Sequence, residues 1–189
     1  WERLNGNKSF VDGIGEKPAG AQFYPADLTK EEFESFSDER KNSQYSVIVR
    51  DEKGKLNVVP YSEYYKPELT QVAGLLREAA KLAEDQGLRN YLSLRADDLL
   101  RDNYFESDMA WMSMKDNTID FVVGPIENYE DQLFGIRTSF ESYILIKDKS
   151  WSDRLSRFAA LLSAGATSNP PAARPARTGR TPRWRGSHT

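Results

Sequence analysis

The feature that most limits how this chain can fold is a change in composition after Leu162. Residues 163–189 contain five arginines and four of the nine prolines, but no Val, Ile, Leu, Met, Phe or Tyr. Without those side chains, a segment cannot bury enough apolar surface to offset the entropy lost on ordering. We therefore expect a folded part within residues 1–162 and a disordered Arg/Pro/Ala-rich tail over residues 163–189.

The tail has two interpretations. Five arginines without an acidic residue are typical of a basic arm that neutralises phosphates on nucleic acid. However, the tail has no lysine, and Trp184 is its only large aromatic residue, whereas single-strand binders interleave aromatic side chains with their cations. Ala, Arg, Pro, Gly and Thr are also the residues that a GC-rich message yields when it is translated out of frame. We therefore expect a frameshift near Leu162 and no nucleic-acid partner.

The residues available in the folded part exclude several kinds of chemistry. Residues 1–162 carry 21 basic and 29 acidic side chains, a net charge of −8. The chain has no cysteine, and its single histidine, His188, lies in the tail. These absences exclude a disulfide, a thiolate nucleophile, a Ser-His-Asp set and a multi-histidine metal site from the folded part. We expect no catalytic residue and no metal ligand there. We also expect no membrane partner, because no run approaches the roughly 18 apolar residues of a membrane span.

The first helices are predicted from their end signals. Residues 1–26 mix glycine, proline and isolated apolar residues without a period, so we expect an irregular segment. Thr29 and Glu32 match a capping box, which predicts a short helix over residues 30–36. The flanking hydrophobic-staple positions are held by Leu28 and Phe33.

A helical hairpin is predicted between residues 67 and 100. Pro67 suits the first turn of a helix, since its missing N–H costs nothing there, and Gly87 is interpreted as the C-terminal stop. The apolar residues between them recur at helical spacing: Leu69, Val72, Ala73, Leu76, Ala79, Ala80 and Ala83. A second helix follows, with one apolar face: Tyr91, Leu92, Ala96, Leu99 and Leu100. We expect the two helices to pack together.

Strands are predicted in two places. Residues 45–49 and 56–59 are β-branched runs on either side of a turn that contains Gly54, which predicts a β-hairpin. Residues 119–124 and 140–146 predict two more strands, joined by a polar loop.

Two further helices complete the pattern. Residues 108–112 predict a short helix, whose Met and Trp side chains we interpret as core filling. Ser150 and Asp153 predict the capped start of a final helix. Its apolar face consists of Trp151, Leu155, Phe158, Ala159 and Leu162. Because strands and helices do not alternate, the expected fold is α+β, with a helical hairpin and short helices around a small, mainly antiparallel set of strands.

Two polar features are candidate binding groups. Asp120 interrupts an apolar strand, where a carboxylate must either face water or find a cationic partner. Residues 127–131 place three carboxylates in five positions, and hard cations such as Ca²⁺ or Mg²⁺ bind several oxygens. Their spacing fits no calcium-loop template, so we interpret this loop as a solvated turn.

The segments around these groups resemble a known family. The segments are residues 119–135 (IDFVVGPIENYEDQLFG), 140–143 (FESY) and 147–151 (KDKSW). Upstream segments agree: residues 23–33 (FYPADLTKEEF), 59–61 (VPY) and 108–112 (DMAWM). They resemble the bacterial branch of the dipeptidyl-peptidase III zinc metallopeptidases, and the likeness covers most of residues 20–162.

This resemblance implies a function for a longer protein. The family releases dipeptides from the N-terminus of short peptides, in a two-lobed molecule with zinc on a mostly helical lobe and a β-core, along which a peptide can lie, on the other. The resemblance assigns this chain to part of the second lobe. The family's zinc site uses an HExxGH helix and a later glutamate, placed downstream of Leu162. We therefore expect a fragment that is inactive alone and binds no zinc. The alternative is a non-catalytic peptide- or protein-binding module with a basic tail.

The resemblance also implies substrate-binding residues. Eukaryotic relatives carry, at the position of Asp120, an acidic residue that meets the free amino terminus of the substrate, which suits a carboxylate facing an ammonium. They carry a tyrosine two residues later, where this chain has Val122. Glu127, Tyr129 and Asp131 match the family's Ile-Glu-x-Tyr-x-Asp segment, for which we expect scaffold roles before catalytic ones. The expected substrate-binding set is Asp120, Glu127 and Tyr129.

Overall fold

The computed structural model describes residues 12–168, with six α-helices and four strands within that range. The helices are α1 (Lys30–Ser35), α2 (Tyr61–Tyr64), α3 (Lys66–Leu82), α4 (Gln86–Asp98), α5 (Phe105–Ser113) and α6 (Lys149–Ser168). The strands are β1 (Ser46–Arg50), β2 (Leu56–Pro60), β3 (Ile119–Glu127) and β4 (Ser139–Ile146). The chain divides into two units, one ending at Lys147 and one beginning at Asp148. The α+β class is confirmed, and no described helix is long and apolar enough to cross a membrane.

Helix α1 begins where the sequence predicted because Thr29 Oγ1 accepts a hydrogen bond of 3.1 Å from the backbone N–H of Glu32. Leu28 and Phe33 are buried in one apolar cluster, as the staple positions require. The reciprocal bond of a capping box is not found among the described residues. The Glu32 carboxylate instead accepts two hydrogen bonds of 2.8 Å from Arg50, because a bidentate pair with a guanidinium is stronger than a bond to a backbone N–H.

Strands β1 and β2 form the predicted antiparallel hairpin. The turn between them closes on Asp51, whose Oδ1 accepts bonds from the N–H groups of Lys53 and Lys55 at 2.9 and 2.8 Å. Gly54 has a φ of +77°, which a residue with a side chain rarely adopts. The N-terminal segment up to residue 26 contains no helix or strand over its described residues 12–26, while residues 1–11 lie outside the described range.

Helices α3 and α4 pack as the predicted hairpin around the larger apolar core. The prediction for Gly87 is wrong: α3 ends at Leu82, and Gly87 lies in the first turn of α4. The start of α4 is set by Asp85, whose carboxylate accepts a bond of 2.7 Å from the Leu88 N–H. The glycine at position 87 instead avoids a tight contact with a neighbouring side chain, since a Cβ there would lie 3.1 Å from Met114 Cγ.

Strands β3 and β4 pair antiparallel and form the second sheet. Directly opposite residues point to the same face of a sheet. The pairs on one face are Asp120 with Leu145, Val122 with Tyr143, and Gly124 with Glu141. On the other face, Phe121 and Val123 pack against the core of α3 and α4. A bulge interrupts the register between Pro125 and Glu127.

Helix α5 does not fill the core with its Met and Trp side chains, so that interpretation of the sequence is wrong. Met109, Trp111 and Met112 are all exposed. The buried residue of the helix is Ser107. Its backbone N–H donates a hydrogen bond to the Asp98 carboxylate, and its hydroxyl donates one to the Tyr104 carbonyl. Together with Phe105, which is also exposed, four large apolar side chains of this nine-residue helix therefore lie on the surface.

Helix α6 belongs to the second unit and is capped two residues earlier than predicted. Asp148 Oδ1 accepts bonds from the N–H groups of Ser150 and Trp151, at 2.9 and 3.3 Å, so Asp148 and not Ser150 provides the cap. The helix continues to Ser168, past position 163 where the tail was predicted to begin. The remainder of the predicted tail, residues 169–189, lies outside the described residues.

The loop between β3 and β4 is organised by the buried carboxylate of Asp131. Its oxygens accept five hydrogen bonds of 2.6–3.2 Å: from the Tyr24 hydroxyl and the backbone N–H groups of Leu133, Phe134, Ile136 and Arg137. Burial alone raises the pKa of Asp131, but the hydrogen bonds from Tyr24 and the backbone outweigh it and hold the pKa below its ordinary value. The guanidinium of Arg137, also buried, donates to the carbonyls of Ser43 and Lys41.

We predict that Asp131→Asn lowers the free energy of unfolding at pH 7 by about 3 kcal/mol, because an amide nitrogen would face backbone donors now bonded to a charged acceptor. The folded-state pKa is depressed, so the contribution of Asp131 is full above pH ~4 and is lost as the pH falls through the folded-state pKa. Urea unfolding at pH 7, 5 and 3 should therefore show a gap between variant and wild type that is the same at pH 7 and 5 and narrower at pH 3. Asp116→Asn, an exposed carboxylate, is the control. A gap independent of pH would contradict the assignment.

A second prediction concerns Gly124, which lies beside Arg95 of α4. Its φ is +144°, and a Cβ there would lie 2.9 Å from Nη1 of the buried Arg95. We expect Gly124→Ala to destabilise the fold by roughly 1–3 kcal/mol through backbone strain and displacement of this guanidinium. Gly74→Ala is the matched control, because Gly74 is helical with open space around it, and should stabilise the fold by up to ~1 kcal/mol. Thermal unfolding of the two variants should shift in opposite directions.

Candidate functional site

A cavity of about 600 Å³ lies between α5 and the face of the β3–β4 sheet that carries Asp120. Its lining comes from five parts of the first unit: Tyr45, Arg95, Asp108, Trp111, Met112, Val122, Pro125, Ile126, Glu127, Glu141 and Tyr143. The exposed Trp and Met side chains of α5 form one wall, and the sheet forms the other. The bulge after Pro125 places Glu127 at one end of this lining.

Asp120 joins the two walls. Its Oδ1 accepts a hydrogen bond of 3.0 Å from the indole Nε1–H of Trp111. Asp120 is half-buried, and no ion pair to it is found among residues 12–168. The sequence offered two outcomes for this carboxylate, water or a cation, and the structure adds a third, since a neutral N–H donor from α5 satisfies one oxygen. Asp120 therefore fixes the orientation of the indole that lines the cavity.

Glu141 is the centre of a cluster of hydroxyl donors at the opposite strand. Its Oε2 accepts a bond of 2.6 Å from the Tyr143 hydroxyl, and its Oε1 accepts one of 3.4 Å from Tyr129. The carboxylate raises the pKa of both phenols: its charge is the main cause for Tyr129, and the hydrogen bond is the main cause for Tyr143. Both tyrosines therefore remain neutral donors that orient the carboxylate. The residue opposite Glu141 is Gly124, which has no side chain to cover it.

Arg95 supplies the only basic side chain among the residues that line the cavity. Its guanidinium is buried, donates to the Asp108 carboxylate, and lies 5.4 and 5.2 Å from the ring centroids of Tyr91 and Tyr104. Its Nε has no hydrogen-bond partner within residues 12–168. The two rings and the carboxylate compensate the buried charge, which keeps the guanidinium against Gly124.

The charges around the cavity favour a cationic ligand. Three carboxylates line it, Asp108, Glu127 and Glu141, against the one guanidinium of Arg95, which Asp108 already pairs. The two remaining carboxylates are without a cationic partner among the described residues. A positively charged group entering here would find acceptors on the sheet and aromatic faces beside them.

The predicted site residues are only partly brought together. Glu127 lines the cavity, and Tyr129 reaches it through its bond to Glu141, whereas Asp120 is engaged by Trp111. Reasoning from the sequence missed Glu141 and Arg95. Glu141 carried the same signal as Asp120, a carboxylate inside an apolar strand, and could have been found by it.

The described residues do not form a metal site. No group of three or more His, Cys, Asp or Glu side chains that could hold a metal ion is found within residues 12–168. The acidic run considered for a hard cation is divided by the fold, because Asp131 points into the loop and uses both oxygens there. The expectation that zinc does not bind this chain remains a prediction.

Comparison with known proteins identifies the relatives of this chain. The sequence model of peptidase family M49 matches residues 13–166. The structure of dipeptidyl-peptidase III from Caldithrix abyssi has a TM-score of 0.77 and 44% identity, covering 86% of this chain and 32% of that one. The structure of dipeptidyl-peptidase III from Corallococcus sp. strain EGB has a TM-score of 0.70 and 34% identity, covering 81% of this chain and 30% of that one.

A protein named Nudix hydrolase 3 from Arabidopsis thaliana is also similar. It is 35% identical over 159 residues, and the match covers 70% of this chain and 20% of that protein. The chain therefore spans a third or less of the length of each of these relatives. The family match extends past Leu162, near which the frameshift was expected, and ends at residue 166. With a family match over most of its length and a fold shared with two solved members, the chain belongs to peptidase family M49, the dipeptidyl-peptidase III family.

Proposed function

We propose that this chain is part of the substrate-binding lobe of a zinc-dependent dipeptidyl-peptidase and binds the amino-terminal end of a short peptide. The observation that carries the proposal is the cavity on the β3–β4 sheet, where Glu127 and Glu141 have no cationic partner among the described residues. A peptide's free amino terminus is a compact cation with three donors, and it pairs best with a carboxylate held in place by other bonds. Glu141 is such a carboxylate, because two tyrosine hydroxyls orient it.

The same geometry indicates a separate role for each of the expected substrate-binding residues. Relatives pair an acidic residue with a tyrosine two positions later, and in this chain that spacing occurs at Glu127 and Tyr129, not at Asp120 and Val122. Glu127 lines the cavity, and Tyr129 donates to Glu141 across the loop. We assign these three residues to the ammonium. Asp120 acts on the ligand only indirectly, because it orients the indole of Trp111, which lines the cavity.

Hydrolysis requires groups that the described residues do not contain. Zinc would supply a bound water as nucleophile and polarise the scissile carbonyl. Its protein ligands are imidazoles together with a carboxylate, and residues 12–168 contain no histidine. The donor set of the described residues therefore does not fit a zinc site, and peptide cleavage belongs to a longer protein that includes the zinc-binding helix.

The binding proposal predicts a preference for a free amine. Alanyl-alanine amide should bind, and its N-acetylated form should not, because acetylation removes the positive charge. Glu141→Gln should weaken binding about tenfold, which corresponds to the loss of one charge-assisted hydrogen bond. Amide chemical shifts in NMR titrations measure both effects and show whether the perturbed residues lie around the cavity.

The matched control for this titration is Glu52→Gln, an exposed glutamate in the β1–β2 turn that should leave the affinity unchanged. Equal binding of the acetylated and free peptides would contradict the proposal. So would shifts confined to residues distant from β3, β4 and α5.

The fragment proposal predicts no hydrolysis. Incubating the chain with Zn²⁺ and a dipeptidyl-arylamide should release arylamine no faster than buffer with Zn²⁺, while the full-length dipeptidyl-peptidase III from Caldithrix abyssi serves as the positive control. Fluorescence of the released arylamine and elemental analysis of the dialysed protein measure turnover and bound metal. Stoichiometric zinc together with turnover by this chain would overturn the proposal.

A further inference from the structure

The buried guanidinium of Arg95 is not explained by packing alone. Its side chain is 3% exposed, and its Nε–H has no acceptor within residues 12–168. The one ion pair found for it among these residues is with Asp108, whose own side chain is 57% exposed and therefore hydrated. Replacing a buried ion pair by apolar side chains of similar volume is often neutral or stabilising. A methionine at this position would avoid the unpaired donor altogether.

One side of the guanidinium holds the α5 wall of the cavity. Its Nη2 donates to the Asp108 carboxylate on that helix. Asp108, Trp111 and Met112 occupy positions i, i+3 and i+4, so they share one face of the helix, and all three line the cavity. Fixing Asp108 therefore fixes the face of α5 that forms this wall.

The other side of the guanidinium faces the sheet. Gly124 of β3 lies directly opposite Glu141 of β4, and opposed side chains are about 5 Å apart at Cβ. Gly124 has no Cβ, and one built there would lie 2.9 Å from Arg95 Nη1. The guanidinium therefore occupies the space that a side chain opposite Glu141 would take. It lies beside the strand at the level of the carboxylate that we assign to the ammonium.

A second link between the two walls lies further along β3. The indole of Trp111 donates to the Asp120 carboxylate at 3.0 Å. Asp120 precedes Gly124 by four residues, which is roughly 13 Å along an extended strand. A single link leaves a helix free to tilt, whereas two separated links define both its distance from the sheet and its tilt. Arg95 provides the link at the Glu141 end.

We propose that Arg95 is a positioning residue, which sets the distance between α5 and the sheet so that one peptide contacts both walls. Its ammonium binds Glu141, and its first side chain contacts Trp111 and Met112. This inference rests on the proposed function and adds a selectivity to it. A peptide with a large apolar first residue gains from the correct spacing, whereas a peptide that begins with glycine needs only the sheet. Loss of Arg95 must therefore reduce the difference in affinity between two such peptides.

The test compares leucyl-alanine amide with glycyl-alanine amide, which differ only in the first side chain. In NMR titrations of the full chain, the wild type should bind the leucyl peptide about tenfold more tightly, through partial burial of the leucine side chain. Arg95→Met should bring this ratio close to one. The matched control is Arg77→Met, an exposed arginine that pairs with Asp97, which should leave the ratio unchanged.

A lysine at the same position separates spacing from charge. The ammonium of lysine is a compact point charge that can still pair with Asp108, but it cannot also fill the space beside Gly124 as the planar guanidinium does. We expect Arg95→Lys to lose the selectivity as Arg95→Met does. A full ratio in Arg95→Lys would show that charge alone is needed, which contradicts the proposal.

The indole Nε1–H resonance of Trp111 reports the spacing without a ligand, and its absence from the spectrum of Trp111→Phe identifies it. It should shift in Arg95→Met but not in Arg77→Met, because movement of α5 alters the bond to Asp120. If Arg95→Met does not fold, Asp108→Ala removes the same link at an exposed side chain and should give the same two results.

The outcomes distinguish this inference from the proposed function. A wild type that binds both peptides equally, or an Arg95→Met variant that weakens both to the same extent, overturns the positioning role and leaves the ammonium site intact. A wild type that binds neither peptide contradicts the proposed function, and the indole resonance then decides the spacing by itself. An indole that does not move in Arg95→Met overturns the positioning role in either case.

Discussion

The hydrogen bonds to Asp131 set the geometry on which the candidate site depends. Strands β3 and β4 are connected by the loop whose N–H groups this carboxylate binds, and the length and conformation of that loop determine which residues of the two strands face each other. Because side chains alternate between faces, a slip of one residue would turn Glu141 away from the cavity and present Ser142 instead. A carboxylate with five donors leaves little freedom for such a slip. The position of Glu141 in the cavity thus depends on a buried anion that does not itself line the cavity.

Local signals in the sequence predicted elements well where one side chain satisfies one backbone group. Thr29 at α1 and the Gly54 turn between β1 and β2 are examples, because each depends on neighbours only a few residues away. The interpretation failed where a distant partner competed. Gly87 suits a helix end in isolation, yet Asp85 caps the next helix and Met114 packs closely against the glycine. The side chains of α5 have a core composition, but their burial is decided by the sheet they face.

The candidate site could be predicted only in part for the same reason. The resemblance to the family named Asp120, Glu127 and Tyr129 from positions along the chain. The role of Glu141 depends on its register opposite Gly124, and the role of Arg95 depends on how closely α4 approaches that glycine. Neither relation is local in sequence. A search for carboxylates within apolar strands would have found Glu141. The sequence gives no such signal for Arg95, because an arginine on an amphipathic helix looks exposed unless the strand that covers it is known.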